Sequence, residues 1–304
     1  MALPPRKQQR LSYHVGSVNA AIFDASGSYV ITGGQDKMIR LCNAKTGSLV
    51  QTYKGHGWHV QGVAICQGSS RMASCGGDRS VFLWDVNEAS VVRKFPGHIQ
   101  RVDCVAMNAN GSVVVSGSFD TTVRVWDVRS PQHTALQVLD ESKDGVASVV
   151  VTESEIIAGS IDGCVRAYDI RTGKLLVDDL GQSVVSVSVS EDLRCLLASC
   201  MDGSIQLLDR ADGAAIAAFS GHKCSEYRIR SDISATTVAS GSEDGFVYVW
   251  DTLNNSETGG YKYRLAGHEG IVNTVAFHPG SGNDPEKCNT MVSAASDGSV
   301  IVWE

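Results

Sequence analysis

Four times in this chain of 304 residues a histidine, a serine and an aspartate follow one another at near-constant separation. The sets are His56, Ser74 and Asp78; His98, Ser116 and Asp120; His222, Ser240 and Asp244; and His268, Ser293 and Asp297. A serine whose proton is drawn off by an imidazole that an aspartate orients is the arrangement of a serine hydrolase. Repetition argues against that chemistry. One active site needs one nucleophile, and no G-x-S-x-G turn presents any of these serines. The same residue types also build buried hydrogen-bond chains, which a repeated structural unit would need in every copy. Catalysis has no visible seat.

Other chemistries fare no better. His56, Trp58 and His59 lie close in sequence, yet no acidic or cysteine ligand stands beside them at metal-like spacing. Asp-Gly pairs begin at Asp144, Asp162, Asp202, Asp212, Asp244 and Asp297. A calcium loop needs a D-x-D-x-D-G pattern, which is lacking, and tight turns between strands demand the same dipeptide. No phosphate-cradling G-x-x-x-x-G-K-[ST] occurs. The nine cysteines (Cys42, Cys66, Cys75, Cys104, Cys164, Cys195, Cys200, Cys224 and Cys288) are scattered and include no C-x-x-C. Several sit in apolar runs, where a thiol acts as a small hydrophobe. The expectation is a reduced intracellular protein with no metal and no cofactor.

The elements that place these residues come from the repeat. Counting six back from Trp84, Trp126, Trp250 and Trp303 reaches Asp78, Asp120, Asp244 and Asp297, and the same step links Asp36 to Cys42, Asp162 to Tyr168 and Asp202 to Leu208. The seven aspartates are 42, 42, 42, 40, 42 and 53 residues apart. Each interval holds four short runs of Val, Ile, Ser and Thr broken by Gly, Asp and Asn. In the second repeat they fall at about His59–Ile65, Arg71–Cys75, Ser80–Asp85 and Ser90–Phe95. With 31 glycines against 6 prolines, the chain is rich in tight turns.

Four strands per repeat, with Gly-His pairs at Gly55, Gly97, Gly221 and Gly267 and Trp-Asp endings, resemble the WD-repeat family across nearly the whole chain. The resemblance implies an all-β, single seven-bladed β-propeller. Its repeats run at about 14–54, 55–96, 97–139, 140–179, 180–220, 221–266 and 267–304, with residues 1–13 as a closing segment. It further implies a hydrogen-bonded tetrad in each complete blade: His56/Ser74/Asp78/Trp84, His98/Ser116/Asp120/Trp126, His222/Ser240/Asp244/Trp250 and His268/Ser293/Asp297/Trp303. The first repeat keeps His14, Thr32 and Asp36 but has Cys42 at the Trp place. Repeats four and five lack the His and Trp and carry Ala158 and Ala198 at the hydroxyl position. Those two blades are expected to be the weaker part of the ring. The last blade runs out of sequence after its third strand, so a segment near Lys7–Ser12 should supply the fourth.

A propeller binds at its mouth. Two positions per repeat should point there: the residue before the turn aspartate (Gln35, Gly77, Phe119, Ile161, Met201, Glu243, Ser296) and a residue on the innermost strand (Asn19, Gln61, Asp103, Ala147, Val185, Tyr227, Asn273). Phe119, Ile161, Met201 and Tyr227 are candidate apolar anchors, with Trp58 beside them, and Gln61, Asp103, Glu243 and Asn273 candidate polar contacts. No arginine appears among these positions, which counts against phosphopeptide capture. Two polar loops on the opposite face, Thr252–Gly260 and Gly280–Lys287, form a possible second docking site.

Particular stretches narrow the resemblance: Lys37–Asn43, Gly76–Val86, Val91–His98, Ser116–Arg129, Asp140–Val149, Ile157–Arg171 and Gly221–Tyr227. They are similar to the mitogen-activated protein kinase organiser family of small single-propeller WD-repeat proteins. That similarity implies a non-enzymatic scaffold, monomeric within larger complexes, whose partners are kinase-cascade proteins or spliceosome components of pre-mRNA splicing, in nucleus and cytoplasm. The alternative is the substrate receptor of a ubiquitin ligase. A net charge of −7 weighs against direct nucleic-acid or membrane binding.

Overall fold

The computed structural model describes residues 6–252, 260–280 and 290–304. Most of both opposite-face loops, and Cys288, lie outside them. The described residues form strands and turns and no helix. They assemble into seven antiparallel sheets of four strands, six of them in simple chain order. A strand of the form Arg71–Gly76, with one exposed residue and five buried, shows why. Both faces of such a strand are covered, so each sheet must be sandwiched between neighbours.

The core is the space between blades. Ala20, Ile31, Ile39 and Tyr53 of blade one pack with Val60, Val63, Met72 and Trp84 of blade two in one buried cluster. Blades two and three meet the same way, Phe95 lying 5.4 Å from Trp126 between ring centroids. In the seventh sheet the order is Lys7–Leu11, Val300–Trp303, Met291–Ala295, Val272–Phe277. The first strand of the chain is therefore the outermost strand of the last blade, its residues Gln9, Arg10 and Leu11 paired with Val302, Ile301 and Val300.

The turn after the second strand is the same in all seven blades. The residue following each turn aspartate has positive φ: Lys37, Arg79, Thr121, Gly163, Gly203, Gly245 and Gly298. Four of the Asp-Gly pairs are thus explained, since glycine takes that conformation without a Cβ clash.

Blade six departs from the pattern. In blade two, Val63 lies opposite Ser74, but in blade six Ser231 lies opposite Ser240, two residues later than equal spacing predicts. The innermost strand is shortened to Ser231–Ile233. The slip places Asp232 inside, where its carboxylate accepts the N–H of Phe277 at 2.8 Å and of Ile233 at 2.9 Å. Burial raises its pKa from 3.8 to about 6. The folded form holds that proton more tightly than the unfolded chain. Its contribution is therefore fully present below pH 3.8 and lost as pH rises through 6. Asp232→Asn should flatten this dependence by up to about 3 kcal/mol between pH 4 and 8. Urea midpoints across that range test it; an unchanged slope in the variant would refute the assignment.

Candidate functional site

The tetrads hold the mouth loops in place. In blade two Trp84 Nε1 donates to Ser74 Oγ at 2.7 Å, Ser74 Oγ lies 2.7 Å from His56 Nε2, and His56 Nδ1 lies 2.8 Å from Asp78. Blade three repeats this through Trp126, Ser116, His98 and Asp120 at 2.9, 2.8 and 2.8 Å. Each aspartate also accepts a loop N–H, from Gly57 and Ile99 respectively. The serine hydroxyl is thus locked between an indole and an imidazole, unavailable as a nucleophile. Among the described residues no group of three His, Cys, Asp or Glu is placed to hold a metal ion.

Two tetrads read from the sequence need correction. In blade seven Trp303 and His268 both reach Ser293, but His268 Nδ1 is 4.0 Å from Asp297 and bonds Ser299 Oγ at 2.6 Å instead. Ser299 then donates to Asp297 at 2.6 Å, so the chain gains a fifth link. In blade six the chain is not formed. Trp250 donates to the Ser220 carbonyl, Ser240 to the Gly241 carbonyl, and neither ring nitrogen of His222 has a partner among the described residues. The cause is local. The second strand, Thr237–Ser240, ends at the serine, and Asp244 is captured by the Tyr248 hydroxyl at 2.8 Å.

Blade four has its own substitute. Arg166, nearly fully buried, forms two bonds to Asp162 at 3.1 and 2.8 Å, filling the space left by the missing histidine. Its position four residues past the turn aspartate matches Arg40 of blade one, which bonds Asp36 at 2.6 Å.

The mouth owes its lining to bulges. In six blades the innermost strand shifts register after its first pair, and the residue passed over is Asn19, Gln61, Asp103, Ala147, Val185 or Asn273. A bulge turns the extra side chain out of the ladder, here toward the axis. All six, together with Tyr227, line a cavity of about 370 Å³. Two of them fasten neighbouring blades: Asn19 donates to Val60 O at 2.9 Å, and Asn273 to Val18 O at 2.8 Å.

The same cavity is lined by Arg228 and Arg230, which fixed-offset counting missed because of the two-residue slip in blade six. Both reach across the ring. Arg228 pairs with Asp103 at 2.5 Å, and Arg230 donates to the carbonyls of Gln61 and Asp103 at 3.0 Å. Arg101 also pairs with Asp103, at 3.0 Å. The expectation of a mouth without arginine is corrected.

The remaining candidates divide. Phe119 is exposed at the rim with Arg101 over its ring at 4.4 Å and Arg228 at 5.8 Å. Trp58, 55% exposed, stacks on His59 and has Lys37 at 5.8 Å. Tyr227 is 48% exposed. Ile161 and Met201 instead pack on the buried trio Val185, Cys224 and Ile229; like Phe119 and Trp58, they are not among the residues that line the cavity. Glu243 is occupied as a cap. Its carboxylate accepts the N–H groups of Ser225, Glu226 and Tyr227 at 2.7, 2.6 and 3.0 Å. Those bonds outweigh the opposing effect of burial and hold its pKa down at about 2. Glu243 thus presents Tyr227 rather than contacting a partner itself.

Comparison with known proteins agrees with the architecture. The WD domain, G-beta repeat profile matches residues 5–43, 47–85, 89–127, 213–251 and 259–304. The unmatched stretch, 128–212, contains the two blades without His and Trp. The chain is 46% identical over 303 residues to human WD repeat domain-containing protein 83, covering 99% of this chain and 92% of the relative. It is 48% identical over 303 residues to the zebrafish protein of that name, with the same coverage. With the Dictyostelium discoideum homolog it shares 28% over 324 residues, covering 97% and 96%.

Proposed function

We propose, on the premise that this chain belongs to the WD domain, G-beta repeat family, that it is a non-catalytic scaffold gripping partner proteins at the mouth of its propeller. The carrying observation is the pairing of exposed Trp58, Phe119 and Tyr227 with a floor whose polar groups already bond one another. Such a surface offers aromatic anchors over a rigid, pre-satisfied base, which is how a protein holds a peptide without reacting with it. The partners proposed are spliceosome components or members of a mitogen-activated protein kinase cascade, met in nucleus and cytoplasm. The names of the relatives specify neither.

The arginines bring the substrate-receptor reading back as a second possibility, since guanidinium groups suit acidic or phosphorylated peptides. Both are already committed, Arg228 to Asp103 and Arg230 to two carbonyls, which favours the scaffold reading. Affinity purification from the native cell with mass spectrometry separates the cases: splicing factors, kinases or ubiquitin-ligase adaptors would each name a different reading. The double substitution Phe119→Ala, Tyr227→Ala should weaken capture of the recovered partner at least about tenfold, with thermal stability within a few degrees of the parent chain. Undiminished capture would move the site off this face.

A further inference from the structure

The face opposite the mouth carries a groove of about 1010 Å³ that runs under blades three, four and five. Its origin lies in the degenerate fourth repeat. In blades two, three, six and seven a tryptophan fills the gap beneath the preceding blade, as Trp126 does against Leu83 and Phe95. In blade four the smaller Tyr168 stands there, packed on Val125 and Leu139, and its hydroxyl donates to Glu141 at 3.1 Å. The neighbouring outer strand of blade three is cut to Gln137–Leu139. A shorter ring beside a shorter strand leaves the inter-blade seam open.

Two features say what fits the opening. Each of the three blades contributes one large apolar side chain to its rim: Leu136, Ile170 and Leu193, which are 70%, 54% and 48% exposed. Exposed apolar side chains gathered around one groove, rather than scattered singly, mark a surface suited to a partner. The charge is one-sided. Glu141, Glu153, Asp169 and Glu191 line the groove, and among the described residues no lysine or arginine does.

We propose that this groove is a second docking site, which takes a short linear segment of a partner protein bearing two or three apolar anchors flanked by lysine or arginine. The anchors pack on the apolar rim between the blades, and the basic flanks meet its acidic side chains. The site is separate from the mouth and stands or falls apart from it.

Selection of a displayed library of random 16-residue peptides against the whole chain is the test. Enriched sequences should combine apolar and basic residues, and the resynthesised peptides should bind in fluorescence anisotropy. Ile170→Asp and Leu193→Asp, both on exposed loops, should each weaken that binding about tenfold or more, while the mouth double substitution leaves it unchanged. Raising salt should weaken it several-fold. Tyr168→Trp, which places the residue of blades two, three, six and seven in the seam, should narrow the groove there and weaken binding; if that variant misfolds, the two rim variants decide alone. Acidic peptides, no enrichment, indifference to the rim substitutions, or loss with the mouth substitutions instead would each overturn the proposal.

Discussion

A chain lacking residues 1–12 should lose most of its stability and precipitate on mild heating. The closing strand contributes the ladder from Lys7 to Leu11 against Val300–Trp303 and buries Leu11 in the cluster that joins blades one and seven. Around it, Gln9 donates to the Lys45 carbonyl at 3.1 Å, tying the strand to blade one. Several hydrogen bonds at about 1 kcal/mol each and one buried leucine at about 2 kcal/mol sum to roughly 5 kcal/mol or more. A domain has only about 5–15 kcal/mol in total. The melting temperature should fall by at least about ten degrees. Deletion also bares the edge of Val300–Trp303, four buried residues that would recruit another chain. Thermal melts at two protein concentrations read both effects. A truncated chain that melts within about a degree of the intact one would show that the ring does not depend on this clasp.

The same substitution should give opposite results in two blades. His98→Leu removes two bonds at 2.8 Å, to Asp120 and Ser116, and strips the buried aspartate of its imidazole. It should cost about 2–4 kcal/mol. His222→Leu removes a buried ring with no partner among the described residues at either nitrogen, so it should be neutral or stabilise by about 1 kcal/mol. A pH signature accompanies the contrast. Burial lowers the His222 pKa from 6.5 to about 4. As pH falls from 6.5 toward 4 the unfolded chain takes up a proton that the fold refuses, and stability declines. His222→Leu should remove that part of the acid sensitivity. Urea denaturation of both variants at pH 7 and pH 5 reads the difference; equal costs in the two blades would mean that His222 is bonded after all.

Why some of this was legible and some not comes down to where the spacing is fixed. The turn aspartates recur at near-constant intervals because every turn needs the same left-handed residue after them, so the blade count could be read directly. The bulge residues were legible for the same reason, since all six regular inner strands break register at one place. Blade six was not. Its insertion and its shortened loop cancel, leaving His222 the usual 18 residues before Ser240 while the strand between them slides. One signal was available: Ile229, Ser231 and Ile233 alternate with Arg228, Arg230 and Asp232, which sets the strand later than the histidine implies. Ser299 stepping between His268 and Asp297 left no trace, because a serine two residues past a turn aspartate is ordinary turn chemistry. The open seam at Tyr168 was half visible. The lost tryptophan stood in the sequence, but whether neighbours close over a smaller ring depends on packing.

The arginines of blade six have a consequence for traffic through the molecule. Because Arg230 is bonded to carbonyls of two blades on the far side, a guanidinium spans the hub between the two faces of the disc. A segment docked in the proposed groove would therefore sit on the other side of that arginine from one seated at the mouth, at a separation set by strand length.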